Sequence, residues 1–570
     1  MNSQKAKKTP ASRTHLTACT TAIILSFLPG LAAQPVRLVL PEQHGPLMDK
    51  AAAIFTRRVN EQCGIQAASS GPNAVTIELR ISPGIGAEGF TISRSARGTI
   101  SVTGNDERGV LYGLGKLFRT SRCGSGMFSP GSWRGTSLPV ASLRGVYLAS
   151  HFGNFYEAAP IQELETYVED LALWGVNAVG FAFPAWQYAS LDDLAARSNL
   201  ERIRAMMKAT RRAGMQVGAF VAPNQGFKTA PKELRAQPFP DDWGRRGSLG
   251  VNVCPSLRAG RQYLLDYWER LLNEYRDVGL DFVVYWPYDE GGCGCPQCWP
   301  WGARGYVQIC RDFSRLARSK YPRCRAVVST WMFDTPPAGE WEKLTKILAG
   351  DRSWVDYIMA DAHEDFPRYP LDHGVPGGLP LVNFPEISMW GMAPWGGYGA
   401  NPLPGHLQHL WNQVAGRISG GFPYSEGIYE DLNKVIYSQF YWDPQRTARE
   451  TVREYAASEF SPDVADEVLR AVEILEANHR RKSGRFERQP QQTGEAYELL
   501  RKADQKLTPQ ARRSWRWRIL YLRALIDDEL CKTGGKPQGP AVKEAFAELV
   551  RIYHAEHVHT NRVAPPDLLP

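Results

Sequence analysis

The chain has 570 residues, 43% hydrophobic and 22% charged, with 17 Trp and 23 Tyr and neither a low-complexity tract nor an internal repeat. That length exceeds one ordinary domain and predicts two or three. The formal charge of +8 falls to +4 once the four cations Lys5, Lys7, Lys8 and Arg13 are set aside, so no electrostatic argument for nucleic acid is left.

Those four cations open a segment, residues 1–33, that reads as a targeting sequence. They form a basic stretch without acids, residues 16–28 are apolar but too short to span a bilayer, and Pro29-Gly30-Leu31-Ala32-Ala33 offers small residues for cleavage. Leu16-Thr17-Ala18-Cys19 precedes the apolar run instead of ending it, which argues against a lipid attachment box. No later segment is long and apolar enough for a span. The expectation is an exported protein, periplasmic or secreted, with no membrane or nucleic-acid partner. Nine cysteines would remain after cleavage, an odd count that leaves at least one free thiol or metal ligand.

Residues 34–138 read as a small α/β domain. A strand is predicted at 36–40, helical spacing at 48–63, an alternating strand at 74–81, then a hairpin turning at Ala96-Arg97-Gly98 and a helix after Asn105-Asp106. Gly113-x-Gly115-Lys116 has the wrong spacing for a phosphate loop. The Gly/Ser/Pro-rich stretch 123–139 reads as a linker. From 139 to 441 the pattern alternates. Strands are predicted at 145–148, 178–181, 216–221, 282–286, 326–329, 357–360, 380–384 and 420–424, with helices at 161–174, 200–213, 258–276, 306–320 and 407–418. Eight strands in such alternation fit a (β/α)8 barrel, and no Gly-rich nucleotide turn supports an open doubly wound sheet. Over 442–570 the strands stop. Amphipathic helices at 446–459, 462–478, 493–506, 509–531 and 542–554 predict an all-helical C-terminal domain.

The chemistry concentrates after the fourth barrel strand. The apolar run 280–286 leads directly into Tyr288-Asp289-Glu290-Gly291. Adjacent carboxylates at such a place are costly unless bonded or used, and the C-terminal ends of barrel strands are where catalytic groups sit. Cleavage of a glycosidic bond needs two carboxyl groups in different protonation states. The competing reading makes Asp289 a helix cap and Glu290 a solvated loop charge. Asp361 and Glu386 follow the sixth and seventh strands, where either serves as a base facing Glu290 or lines the site. Tyr424-Ser425-Glu426 ends the eighth strand. Tyr288, His151, Asn154, Trp331 and Asp334 stand beside strand ends, and Trp390, Trp395 and Tyr398 lie in a Gly-rich loop; the rings suit the apolar faces of sugars.

Cys293-x-Cys295-x-x-Cys298 follows the carboxylates, and Cys254 lies in the preceding loop. Four thiolates make a tetrahedral Zn2+ site; one or two disulfides are the alternative. With no histidine in the cluster a catalytic zinc is not expected, and no cofactor is required. Cys63 and Cys123 are a candidate disulfide.

The N-terminal hairpin and helix, followed by a barrel opening on Leu143-Arg144-Gly145-Val146-Tyr147-Leu148 and by Asp289-Glu290 after strand four, resembles the family 20 glycoside hydrolases, the β-N-acetylhexosaminidases. The additional helical domain looks more like the α-glucuronidases of family 67 or the hexosaminidases of family 84. The family 20 resemblance implies that Glu290 is the acid/base, that Asp289 orients a substrate 2-acetamido group as nucleophile, and that Arg144, Tyr424 and Glu426 hold a terminal sugar; for Arg144 a structural salt bridge at the barrel base is the competing reading. The family 67 resemblance implies inversion on an acidic sugar, with Asp361 or Glu386 activating water. The chain departs from family 20 at Tyr285-Trp286-Pro287-Tyr288, where that family carries His-x-Gly-Gly, and at Ala149-Ser150-His151-Phe152 after strand one. It is similar as a divergent relative; a degenerate barrel that binds a glycan without turnover is the reading from another class.

Overall fold

The computed structural model describes residues 35–65, 74–124, 126–241, 250–387, 399–482, 485–488, 492–533 and 539–557. Residues 1–33, expected to be a targeting segment, and Trp390, Trp395 and Tyr398 lie outside the described residues. No described helix is long and apolar enough to cross a membrane.

Alternating apolar residues build the N-terminal sheet. Ile77 and Leu79, Ile92 and Phe90, and Ile100 and Val102 are buried at every second position, as one covered face of a sheet requires. The order is Val36–Val39, Val75–Ile81, Ile100–Gly104, Phe90–Arg94 and Gly135–Ser137. Helices Pro46–Cys63 and Glu107–Arg119 accompany it, the second capped where the Asp106 carboxylate accepts from the Gly109 N–H at 2.9 Å. The stretch expected to be a linker is partly structured: Arg122–Gly124 pairs with Met127–Ser129, Gly135–Ser137 adds the edge strand, and Cys123 is disulfide-bonded to Cys63. Short, polar strands of three residues carry no alternation long enough to read.

Eight parallel strands then close into a barrel. They are Leu143–Leu148, Ala178–Ala182, Gln216–Val221, Phe282–Tyr285, Arg325–Ser329, Tyr357–Ala362, Leu381–Pro385 and an eighth in two pieces, Gly420–Gly421 and Tyr424–Ser425, both paired with the first. The break falls at Phe422-Pro423, because proline has no N–H to give to a ladder. Every strand is covered on both sides, so the strands read as nearly continuous apolar runs. Inside, Leu143, Tyr147, Phe220, Phe282, Val284, Met359, Val382, Phe384 and Phe422 form a separate core.

The C-terminal region is helical, with Ala448–Glu459, Ala465–Ala477, Thr493–Lys506, Trp515–Lys532 and Pro540–Tyr553. One expectation fails there: His479–Lys482 and Arg485–Arg488 form an antiparallel pair. Its sequence, His-Arg-Arg-Lys and Arg-Phe-Glu-Arg, is too charged to give a strand signal.

Buried charges join the three regions. Asp170, on barrel helix Ile161–Leu173, meets Arg57 at 2.7 Å from the N-terminal domain and Arg516 at 3.0 Å from the C-terminal helices. Arg516 also reaches Asp431 at 2.9 Å, and Arg58 reaches Glu459 at 2.6 Å. A cavity of about 740 Å³ lies at this junction, lined in part by Arg58, Asp170, Glu459 and Arg516. Burial pushes the Asp170 carboxyl up, but Arg58, Arg516 and Arg57 outweigh it and hold it far below the usual range. A carboxyl lowered in this way contributes stability above the unfolded value, about pH 4, that is lost as pH falls further. Asp170→Asn leaves two buried guanidiniums under-compensated. It is expected to cost about 3–5 kcal/mol at neutral pH and to weaken the acid dependence below about pH 4, both read from urea denaturation.

Candidate active site

The period of two along each strand decides which carboxyls reach the barrel axis. Tyr357, Met359 and Asp361 alternate inward, as do Val382, Phe384 and Glu386, and Phe422, Tyr424 and Glu426. All three acids therefore arrive at the C-terminal mouth, over a floor of rings. Tyr147 stacks on Phe220 at 4.0 Å, and Tyr424 lies 5.7 Å from Tyr147 and 5.6 Å from Phe384. Trp286 packs 4.7 Å from Phe384 and stacks on Trp331 at 5.0 Å. Strands four and seven thus meet across the mouth through Trp286 and Phe384.

Glu290 enters from a γ-turn. Its N–H donates to the Tyr288 carbonyl at 2.9 Å, and Asp289 between them has φ of 70°. This is the disfavoured hand for a non-glycine residue, costing on the order of 1–3 kcal/mol. One Glu290 oxygen lies 3.2 Å from His151 Nε2, and His151 Nδ1 lies 3.5 Å from the Tyr147 hydroxyl. Burial, with Glu290 and Glu426 nearby, holds the Tyr147 phenol well above its ordinary value, so it stays O–H.

Glu386 ends strand seven, 5% exposed, and its carboxylate pairs with His363 Nδ1. The His363 ring lies 4.9 Å from Trp331. Glu426 is fully buried: Tyr424 donates to one oxygen and Tyr429 to the other at 3.4 Å. Burial raises its carboxyl well above the usual range, Tyr424 opposing and Glu430 and Glu386 adding. Behind it, Glu430 accepts from the Glu426 and Gly427 N–H groups at 2.5 and 3.1 Å, and Lys434 donates to the Gly427 carbonyl at 2.7 Å. Asp361 is pushed up to about 7, by burial and then by Asp334. Asp334 itself accepts from Trp341 Nε1 at 3.1 Å.

Glu290, His151, Asp361, Glu386, Trp331, Tyr424 and Glu426 therefore converge, with Asp289 beside Glu290. Three expected contacts do not. Arg144 is the second residue of strand one and sits at the opposite, N-terminal end of the barrel. It is fully buried, bonded to Glu88 at 2.6 Å, to the Gly175 and Ala141 carbonyls, and stacked under Tyr112 and Trp442. Its fork of donors is consumed by structure. Tyr288 is fully buried on the far side of the turn, where its hydroxyl donates to Glu340 and accepts from the Gly302 N–H at 3.1 Å. Asn154 caps the short helix Phe155–Ala158, accepting from Tyr156 N at 3.0 Å and donating to the Ala149 carbonyl at 2.7 Å. Tyr147, Trp286, His363, Phe384 and Tyr429 were not anticipated. Strand alternation carries a signal for the inward Tyr147, Trp286 and Phe384; nothing local marks His363 or Tyr429.

Below the acid turn, Cys254, Cys293, Cys295 and Cys298 are all buried, with sulfur atoms mutually within 4.8 Å. They are a set that could hold a metal ion.

No sequence-family model and no curated protein matches the chain. Solved structures do. A family 115 4-O-methyl-α-glucuronidase with specificity for decorated arabinogalactans is similar over 94% of this chain and 78% of its own, at 12% identity and a TM-score of 0.60. A family 89 glycoside hydrolase from Clostridium perfringens, in complex with 2-acetamido-1,2-dideoxynojirimycin, is similar over 89% of this chain and 65% of its own, at 13% identity and 0.59. A Streptomyces plicatus β-hexosaminidase with product GlcNAc is similar over 74% of this chain and 90% of its own, at 12% and 0.51. The chain has the barrel fold of these glycoside hydrolases.

The raised Asp361 carboxyl has a measurable consequence. It contributes stability below the unfolded value, about pH 4, and loses it as pH rises through about 7. Between those limits the wild-type protein is expected to lose on the order of 2–4 kcal/mol that Asp361→Asn does not lose. Urea midpoints of both proteins across that range test it.

Proposed function

We propose that this protein is an exo-acting glycoside hydrolase releasing a terminal sugar, with Glu290 and Glu386 as its two catalytic carboxyls. The observation that carries this is the pair of glutamate–histidine couples at the ends of strands four and seven, Glu290 with His151 and Glu386 with His363. They stand over one aromatic floor, Trp286, Trp331 and Phe384. The fold shared with glycosidases of several families supports the reaction class. The largely buried carboxyls at the mouth support a pocket for one sugar ring over an open groove.

Glu290 is the acid. If Nδ1–H of His151 donates to the Tyr147 hydroxyl, Nε2 is an acceptor and Glu290 carries the proton that goes to the leaving-group oxygen. With Tyr147 donating instead, Nε2–H faces an ionised Glu290, the state left after that transfer. Glu386, on the other side of the sugar, then activates water or attacks the anomeric carbon. Separation of the carboxyls decides between inversion and retention. Asp361, pushed up to about 7, and Glu426, raised by burial, take or give hydrogen bonds to ring hydroxyls.

A second reading rests on Asp289. Its left-handed backbone places a strained carboxylate directly before Glu290, as substrate-assisted cleavage of a β-N-acetylhexosaminide would use. The two readings predict different sensitivities. On a panel of nitrophenyl glycosides, uronides and 2-acetamido sugars included, Glu290→Gln and Glu386→Gln are each expected to lower kcat by about 10²–10⁴. Glu386→Gln leaving kcat within a few-fold while Asp289→Asn abolishes turnover would select the substrate-assisted route. The anomer released, followed by NMR, assigns the stereochemistry.

A further inference from the structure

We infer that Cys254, Cys293, Cys295 and Cys298 bind one structural Zn2+ that fixes the loop carrying Glu290. Cys254 Sγ lies 3.7 Å from Cys295 Sγ and 4.0 Å from Cys298 Sγ, and all four sulfurs fall within 4.8 Å of one another. A disulfide needs about 2.05 Å. Four sulfurs each about 2.3 Å from one Zn2+ define a tetrahedron with edges of about 3.8 Å. The cluster already has that size. A tetrahedral all-sulfur set suits zinc or iron, and a closed four-cysteine set with no further ligand position is the ordinary structural zinc site.

Backbone hydrogen bonds and a required glycine shape the chain around the cluster. The Gly294 N–H donates to the Gln237 carbonyl at 2.8 Å, and Cys298 and Trp299 N–H groups both bond the Cys295 carbonyl, at 3.0 and 2.9 Å. A Cβ at Gly294 would stand 1.9 Å from the Pro238 carbonyl oxygen, so the Cys-Gly-Cys turn admits no side chain there. Ser256 Oγ lies 3.0 Å from Cys254 Sγ and 3.3 Å from Cys295 Sγ, a hydroxyl positioned to donate to thiolates, as groups around metal ligands do.

The ion would link two segments. Cys254 follows strand Val251–Asn252, whereas the other three ligands begin three residues after Glu290. Asn224 makes the same connection by hydrogen bonds, accepting from the Gly292 N–H at 3.0 Å and donating to the Gly292 and Val253 carbonyls at 2.8 and 3.2 Å. All four zinc positions are filled by sulfur, which leaves none for water or substrate, so the ion holds structure and takes no part in the reaction.

The test reads metal and thiols on the purified full chain, without a glycoside, so its outcome is independent of the proposed activity. Elemental analysis is expected to give one zinc per chain. Alkylation after denaturation with chelator and no reductant is expected to modify all four cluster cysteines, and Co2+ exchange to give the intense thiolate-to-cobalt absorption of a tetrahedral site. Cys295→Ser should abolish the zinc and raise hydrogen exchange over 287–298, whereas Cys531→Ser, outside the cluster, should keep it. If Cys295→Ser does not fold, the wild-type metal and thiol counts still decide. Disulfides among the four cysteines with no bound metal would overturn the proposal, and stoichiometric iron would overturn the zinc assignment.

Discussion

The architecture depends on the closure of the barrel between its last and first strands. Gly420 pairs with Leu143 and Gly421 with Arg144, and a Cβ on Gly420 would lie 1.6 Å from the Leu143 carbonyl oxygen. Only glycine allows this approach. After Phe422-Pro423 the strand resumes as Tyr424–Ser425 against Tyr147–Leu148. That short continuation turns Tyr424 and Glu426 into the mouth and sets Tyr424 beside Tyr147. The register at this seam therefore fixes which residues of strands one and eight face the axis. A slip of one residue would exchange Tyr424 and Glu426 for Ser425.

The opposite end of the barrel decides between the two readings of Arg144, in favour of the structural one. A charged residue in an apolar strand signals that it is buried and bonded, without saying to what. Its position does: second in a strand of six, it lies on the stability face, not the reactive one. There it receives Glu88 from the N-terminal domain. The same logic recovers Asp361 and Glu386, which end or follow their strands and do reach the mouth. Strands, carboxyls and the cysteine cluster were legible because each is a local pattern. His363 was not, since nothing in its own stretch marks it and its partner, Glu386, comes from the end of the next strand. Tyr288 shows the limit of alternation: Trp286 faces the axis, but Pro287 ends the strand, and two residues later the side chain points to Glu340 instead.

Stability and reactivity are kept apart in space. The charges that bind the three regions together, Arg58, Asp170, Asp431, Glu459 and Arg516, are buried and mutually compensated. A second set, Glu454 with Lys116 at 3.2 Å and Arg119 at 3.0 Å, ties the N-terminal helix Glu107–Arg119 to Ala448–Glu459. Such networks add little net stability over apolar packing, but they are specific about which faces meet. At the mouth three acids gather instead, Asp361, Glu386 and Glu426, with Glu386 paired to His363. Burial of like charges then raises the Glu426 and Asp361 carboxyls. That is destabilising, and the separation leaves the cost at the candidate active site.

The turn at Asp289 is the sharpest expression of that cost. A non-glycine residue at φ of 70° persists only where its flanks leave no alternative. On one side, Phe282–Tyr285 is locked between two parallel neighbours. On the other, Gly292 is held through both its N–H and its carbonyl by Asn224, and the cysteine cluster begins at the next residue. Glu290 itself is held by His151 from strand one. The segment between Tyr285 and Cys293 is thus anchored at both ends and in the middle, which leaves the strain no route of release except movement of Glu290. The acid role proposed for Glu290, which needs a carboxyl that stays aimed after giving up its proton, requires this kind of over-determined backbone more than it requires any single contact.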